Sequence, residues 1–145
     1  MARIRIDLPD QYCFSVELPV RISDLNYGNH VGNDAILSLM QEARALWFSS
    51  MGFTSEVEIR GSIGQVVADA AVIYKSESFF GDILVISLGV QEIGKYGYEV
   101  IYRITNKITG IEVARGKTGM VCFDYSNRKM VQMPDVLRIK LSAQP

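Results

Sequence analysis

The 145-residue chain has only one histidine, two cysteines and four prolines, and these scarcities exclude several classes of protein. Cys13 and Cys122 lie far apart, without the close spacing of a zinc or redox motif, and His30 is the single histidine. We therefore expect no metal site. Two cysteines are also too few for a disulfide scaffold, so free thiols in a reducing cytosol are the expectation.

Excess charge and long hydrophobic runs are missing as well. The 15 basic and 16 acidic residues nearly cancel, so nothing predicts a nucleic-acid partner. No apolar stretch approaches the roughly 20 residues that cross a bilayer, and the first residues, "MARIRIDLPD", lack the apolar core of a signal peptide. Glycine-rich phosphate loops and the GxSxG serine elbow are also absent. We expect one cytoplasmic domain over residues 1–145, without membrane insertion.

The residues that are present predict first a strand and then one long helix. Apolar and polar residues alternate from Tyr12 to Ile22, which is typical of a half-buried strand, and Pro19 indicates that this strand lies at a sheet edge or is locally irregular there. A helix is predicted from about 34 to 50, with Asn33 or Asp34 as its cap. Its apolar positions are Ile36, Leu37, Leu39, Met40, Ala43, Leu46, Trp47 and Phe48. This wide apolar sector indicates a helix that a sheet wraps.

The remainder of the chain predicts antiparallel strands. Residues 65–76, 82–93, 98–107 and 111–125 are rich in Val, Ile, Tyr and Thr, and short glycine-containing turns separate them. Such short links join antiparallel neighbours, because parallel strands need longer crossovers. The tail, 134–141, fits either a short helix or a strand. The order predicts an α+β domain with one central helix packed on a single sheet.

The segment "SDLNYGNHVGND", residues 23–34, joins the first strand to the helix and contains the groups best suited to catalysis. Exposed amides of Val31, Gly32 and Asn33 at the positive end of the helix dipole can hold a polarised carbonyl oxygen. A nearby carboxylate or imidazole can then activate water for thioester or ester hydrolysis. The alternative is structural, because Asp, Asn and Gly are also common in turns and helix caps.

This segment resembles the signature of the hotdog-fold acyl thioesterases of the 4-hydroxybenzoyl-CoA thioesterase type, which include plant acyl-ACP thioesterases. That signature has two acids, a His-Val-Asn-Asn run and an apolar helix ending in Glu-Ala-Arg. The matching residues here are Asp24, Asn26, His30, Val31, Gly32 and Asn33, followed by "QEAR" at 41–44. The segment "SFFGDILVI" at 78–86 also resembles the family, and the match covers nearly the whole chain.

The resemblance implies a hotdog fold, in which a curved antiparallel sheet of five or six strands wraps one long central helix. It further implies a homodimer or homotetramer with active sites between subunits, an acyl-CoA or acyl-carrier-protein substrate, no cofactor beyond the coenzyme A of the substrate, and a role in fatty acid metabolism. One departure matters for catalysis. Asn26 stands where the family has the acid that serves as nucleophile or base, and an amide can do neither.

Four residues are therefore candidates for catalysis. Asn26 can orient water or hold the thioester, and His30 can exchange protons near neutral pH. Asp24 either serves as the base or only braces the loop. Glu42 lies at the border of the apolar sector, where it either faces a pocket or pairs with a basic residue at the surface. Val31, Gly32 and Asn33 are the predicted substrate-binding residues.

We accordingly predict a thioester hydrolase that uses activated water. A non-catalytic acyl-CoA sensor or carrier with the same fold is the main alternative, because Asn26 replaces the acid. A hotdog hydratase or dehydratase ranks lower, since its usual motif is missing, and a purely structural interaction domain is the third alternative.

Overall fold

The computed structural model describes residues 2–145 and contains two α-helices and six strands within that range. The elements are β1 (Phe14–Pro19), a short 3-10 helix (Ile22–Asp24), α1 (Asn33–Ser50), β2 (Ile63–Tyr74), β3 (Ile83–Gln91), β4 (Gly97–Asn106), β5 (Glu112–Asp124), β6 (Lys129–Met130) and α2 (Asp135–Ser142). The tail, for which the sequence pattern fits either a helix or a strand, is thus a helix. Within the described range, neither helix has the length and apolar character needed to cross a membrane.

All strands pair antiparallel in one sheet with the order β1-β3-β4-β5-β2, and β6 pairs with β5. β1 and β2 are therefore the two edges, which confirms the edge position predicted from Pro19. The turn before β3 contains Gly81 with φ of 93°, and the turn before β5 contains Gly110 with φ of 72°. Glycine adopts this left-handed backbone at no steric cost, so both turns need it.

Helix α1 packs its buried side against the sheet. Residues Ile36, Leu39, Met40, Ala43, Trp47 and Phe48 are at most 3% exposed. The Met40 sulfur lies close to Gly116 of β5, and a Cβ at Gly116 would meet it at 2.5 Å, so the helix approaches the strand directly at this point. The wide apolar sector also predicts that the sheet covers Leu37 and Leu46. That prediction is wrong for these two side chains, which are 39% and 41% exposed.

A buried polar network joins α1 to the sheet and the loop before β2. Arg44, only 4% exposed, donates from Nε to both oxygens of Glu56 at 3.1 and 2.9 Å and from a terminal nitrogen to the Tyr102 hydroxyl at 2.9 Å. Gln65 donates to the Glu56 carboxylate at 3.2 Å. Tyr102 also shares a hydrogen bond of 2.8 Å with Thr118. The arginine of the "QEAR" segment therefore has a structural role.

Two further predictions are tested by the positions of single side chains. The alternation from Tyr12 predicts Ile22 on the buried face of β1, but Ile22 is 71% exposed because the strand ends at Pro19 and Ile22 begins the 3-10 helix. Cys122 is buried and Cys13 is half-buried, and both are free thiols, as predicted. Burial raises the pKa of each thiol to about 11, so neither is a reactive thiolate at neutral pH.

Candidate active site

A cavity of about 780 Å³ lies between the loop that precedes α1 and the segment that follows β2. Its first wall, from the loop and the beginning of α1, consists of Asn26, Tyr27, His30, Val31, Asn33, Asp34 and Ile36. Its second wall, from β2, the following segment and β5, consists of Tyr74, Lys75, Ser76, Glu77, Ser78 and Val113. The structure thus brings four of the seven predicted site residues, Asn26, His30, Val31 and Asn33, into one cavity.

Hydrogen bonds within the loop fix the position of Asn26. Its backbone amide donates to the carbonyl of His30 at 2.9 Å, and its carbonyl accepts from the amide of Asn29 at 3.1 Å. The side-chain oxygen of Asn26 accepts from the amide of Gly28 at 2.9 Å. One lone pair of this oxygen is used by the turn, and the side-chain NH₂ of Asn26 is the donor that it offers to a ligand.

His30 lies on the cavity wall, and its two ring nitrogens face the backbone of Val31 and the side chain of Glu77. Nδ1 is 3.3 Å from the carbonyl oxygen of Val31, and Nε2 is 3.9 Å from Oε1 of Glu77. A Cβ at Gly28 would lie 3.0 Å from Nε2, so the absence of a side chain at Gly28 makes room for the ring. The imidazole is 34% exposed, which leaves it accessible to a ligand or water in the cavity.

Asp24 braces the loop and does not line the cavity. Its carboxylate is 5% exposed and accepts hydrogen bonds from the backbone amide of Arg21 at 2.8 Å and from the Arg21 guanidinium at 3.1 and 3.3 Å. Burial raises the pKa of Asp24, but the hydrogen bonds from Arg21 outweigh it and the pKa is lowered overall. Of the two roles considered for Asp24, these contacts favour bracing.

The predicted carbonyl-binding amides are mostly occupied, which corrects the prediction for two of the three. The amide of Val31 donates to the carbonyl of Ser78 at 2.9 Å, and the amide of Gly32 donates to the carbonyl of Asp24 at 3.0 Å. Neither is free to hold a substrate oxygen. Among the described residues, the amide of Asn33 has no such backbone partner, so it is the one of the three that remains available.

The predicted side-chain cap of α1 is also wrong. The helix begins at Asn33, and Gly32 occupies the capping position without any side-chain hydrogen bond. Asn33 instead accepts a hydrogen bond from the amide of Asp34 at 3.0 Å. Glu42 is exposed and is not part of the cavity wall, and its carboxylate forms no ion pair with another described residue, so the structure shows neither the pocket contact nor the surface pairing considered for it.

The second wall supplies functional groups that the sequence does not indicate. The Tyr74 hydroxyl donates to the carbonyl of Asn33 at 2.9 Å and so fixes the end of β2 against the beginning of α1. Burial, and then the neighbouring carboxylate of Asp34, raise the pKa of Tyr74. Ser78 is 1% exposed, and its hydroxyl has no hydrogen-bond partner among the described residues. A buried unpaired hydroxyl in a cavity wall indicates a ligand or water partner.

Glu77 and Ser78 precede "FFGD", the turn that resembles the family pattern, so the sequence shows their place in the chain but not their proximity to His30.

A family model described as "Thioesterase-like superfamily" matches residues 20–141. The chain belongs to this superfamily. The 1,4-dihydroxy-2-naphthoyl-CoA hydrolase of Nostoc punctiforme is 30% identical to this thioesterase-like protein over 124 residues, which are 84% of this chain and 82% of that protein.

Solved structures agree on the fold of this thioesterase-like protein. A 1,4-dihydroxy-2-naphthoyl-CoA thioesterase from Synechocystis matches with a TM-score of 0.81 and 21% identity, covering 90% of this chain and 96% of that one. A gentisyl-coenzyme A thioesterase matches with a TM-score of 0.79 and 18% identity, covering 88% and 99%. The predictions of a hotdog fold and of a thioester hydrolase are therefore confirmed at the level of the family.

Proposed function

We propose that the protein hydrolyses an acyl-CoA thioester by attack of water in the cavity described above. The observation that carries this proposal is the accessible imidazole of His30 beside the beginning of α1, in a member of the thioesterase-like superfamily. The volume of about 780 Å³ is in the range of small-molecule sites. An imidazole at such a position can take a proton from water and return it to the leaving thiol.

The remaining groups of the first wall are suited to holding the thioester. The side-chain NH₂ of Asn26 and the backbone amide of Asn33 are the donors that can face the carbonyl oxygen. Donors fixed in place before the reaction stabilise the negative charge that develops on that oxygen. Val31 contributes apolar surface rather than its amide, Asp24 supports the loop, and Gly32 lets the chain enter the helix.

The relatives suggest which acyl group the protein accepts. The names of the Nostoc and Synechocystis proteins and of the gentisyl-coenzyme A thioesterase all specify hydroxylated aromatic acyl groups. The cavity here combines apolar Ile36 and Val113 with the hydroxyls of Tyr74 and Ser78. This mixture supports a hydroxylated aromatic acyl-CoA as substrate. Lys75, also in the wall, is a candidate contact for the phosphates of coenzyme A.

A thiol-release assay tests this function. The purified chain is given benzoyl-CoA, 2-hydroxybenzoyl-CoA, hexanoyl-CoA, palmitoyl-CoA and an acyl-carrier-protein ester, and free thiol is followed over time. We expect turnover of the hydroxybenzoyl ester and a loss of about 100-fold or more in kcat for the double variant Asn26→Ala/His30→Ala. Glu58→Gln, a change at an exposed position outside the cavity, is the control. An unchanged double variant means that the site is elsewhere.

Asn26 also favours one alternative, because an amide replaces the family's acid. If the esters bind tightly and no thiol is released, the protein is an acyl-CoA sensor or carrier. Calorimetric titration with the same esters measures that binding directly. If the chain hydrolyses the acyl-carrier-protein ester faster than the coenzyme A esters, the substrate is an acyl-carrier-protein thioester and not an acyl-CoA.

We further propose that the protein works in the cytoplasm as a homo-oligomer and needs no cofactor beyond the coenzyme A of its substrate. The exposed Leu37 and Leu46 on α1, together with the position of β2 at the edge of the sheet, support assembly with further copies. Light scattering on the purified chain measures its mass, and a monomer at all concentrations contradicts this proposal.

A further inference from the structure

Asn26 offers an amide and no carboxylate to the proposed site. The cavity wall contains two carboxylates, Asp34 and Glu77. They differ in what they face. Oδ1 of Asp34 lies 2.6 Å from the point where a Cβ of Gly32 would be, and burial and then this carboxylate raise the pKa of Tyr74. Asp34 therefore lies over the first turn of α1 and beside the end of β2.

Glu77 is the carboxylate that faces the imidazole. Its Oε1 is 3.9 Å from Nε2 of His30, while Nδ1 of the same ring is 3.3 Å from the carbonyl of Val31. A carbonyl oxygen accepts only, so the ring proton belongs on Nδ1 and the lone pair of Nε2 points toward Glu77 and the cavity. The imidazole is thus oriented as a proton acceptor at the position next to the carboxylate.

The distance between the two groups suits a shared water. At 3.9 Å, Nε2 and Oε1 are too far apart for a direct hydrogen bond. One water oxygen can lie about 2.8 Å from each of them and donate a hydrogen to both. Such a water is held at two points in the cavity and keeps its lone pairs free for attack on a carbonyl carbon.

A backbone contact holds the two residues together. The amide of Val31, next to His30, donates to the carbonyl of Ser78, next to Glu77, at 2.9 Å. The loop before α1 and the segment after β2 are therefore joined at the place where the two side chains meet. The side chains are 34% and 64% exposed, so a bound substrate can cover both and exclude bulk solvent.

We propose that Glu77 is a catalytic residue that replaces the carboxylate missing at position 26 and holds the attacking water together with His30. This inference rests on the proposed thioester hydrolysis. The water oxygen forms a bond to the thioester carbon while one of its protons passes to Nε2 of His30 and the other remains hydrogen-bonded to Glu77. The carbon–sulfur bond then breaks, and the imidazolium returns its proton to the sulfur, which gives a carboxylic acid and the free thiol.

The test compares steady-state kinetics of the full chain and its variants on the ester that the wild type hydrolyses best. We expect Glu77→Gln to lower kcat about 100-fold with KM changed less than threefold. Glu58→Gln keeps wild-type kinetics, since Glu58 is exposed and lies outside the cavity.

A second variant tests the replacement itself. Asn26→Asp in the Glu77→Gln background restores a carboxylate at the family's position, and we expect it to recover kcat at least tenfold. Equal unfolding midpoints of the variants exclude a folding defect as the cause of the loss. A Glu77→Gln enzyme within threefold of the wild-type kcat overturns the role of Glu77, and so does a loss that appears in Asp34→Asn instead. No thiol release by the wild type overturns the proposed function as well.

Discussion

Removal of Glu56 is expected to destabilise the protein by about 3 kcal/mol, because it leaves the charge of Arg44 buried without a partner. Arg44 is 4% exposed, and two of its hydrogen bonds, at 2.9 and 3.1 Å, end on the Glu56 carboxylate. Breaking a buried ion pair from one side costs roughly 3–5 kcal/mol. Glu56 is 16% exposed, so water can partly replace it and the lower end of that range applies.

Urea unfolding of Glu56→Ala against the wild type, at one protein concentration, measures this loss. With a typical slope of about 2 kcal/mol per molar, the midpoint falls by roughly 1.5 M. Glu58→Ala, two residues further along and exposed, is the matched control and is expected to change the free energy of unfolding by less than about 0.5 kcal/mol.

A double variant separates the charge effect from the loss of side-chain volume. Arg44→Met together with Glu56→Ala removes the unpaired charge, so we expect it to regain about half of the lost stability. A Glu56→Ala protein that is as stable as the Glu58→Ala control refutes the reasoning. A double variant less stable than the single one also refutes it.

Two substitutions in and beside the cavity give further expectations. Ser78→Ala removes a buried hydroxyl that has no hydrogen-bond partner among residues 2–145, so it is expected to raise the free energy of unfolding in urea by about 1 kcal/mol and to raise KM for the hydroxybenzoyl ester. A destabilised variant contradicts this account. Gly28→Ala is expected to lower kcat at least tenfold, because its Cβ would lie 3.0 Å from Nε2 of His30, whereas Gly94→Ala, whose nearest contact is 3.7 Å away, leaves kcat unchanged.

The fold was predictable because its signals are local. The predicted strand segments 65–76, 82–93, 98–107 and 111–125 each agree with an observed strand to within two residues at either end. The helix predicted from about 34 to 50 begins at Asn33 and ends at Ser50. Where prediction failed, a nonlocal contact decided the outcome. Leu46 has the spacing of a core residue but is 41% exposed, because periodicity does not report how much of a helix the sheet covers.

The candidate site was predictable only in its first wall. Asn26 and His30 lie in one loop, and their residue types and spacing are enough to indicate chemistry there. The occupation of the Val31 amide was not predictable, since its acceptor belongs to Ser78 in a distant segment. Glu77 was missed for the same reason. Its sequence neighbours carry no catalytic motif, and Glu77 reaches the imidazole of His30 only because the fold places the segment after β2 beside the loop before α1.

The hydrogen bond between the amide of Val31 and the carbonyl of Ser78 also bears on how this protein can change its chemistry. Both atoms belong to the main chain, so proline at position 31, which lacks the amide hydrogen, is the one substitution that removes the donor. Positions 30 and 77 therefore remain neighbours whichever side chains they carry. Evolution or engineering can exchange the reacting pair, for example for two metal ligands or for a thiol beside a base, while the same fold supplies their spacing.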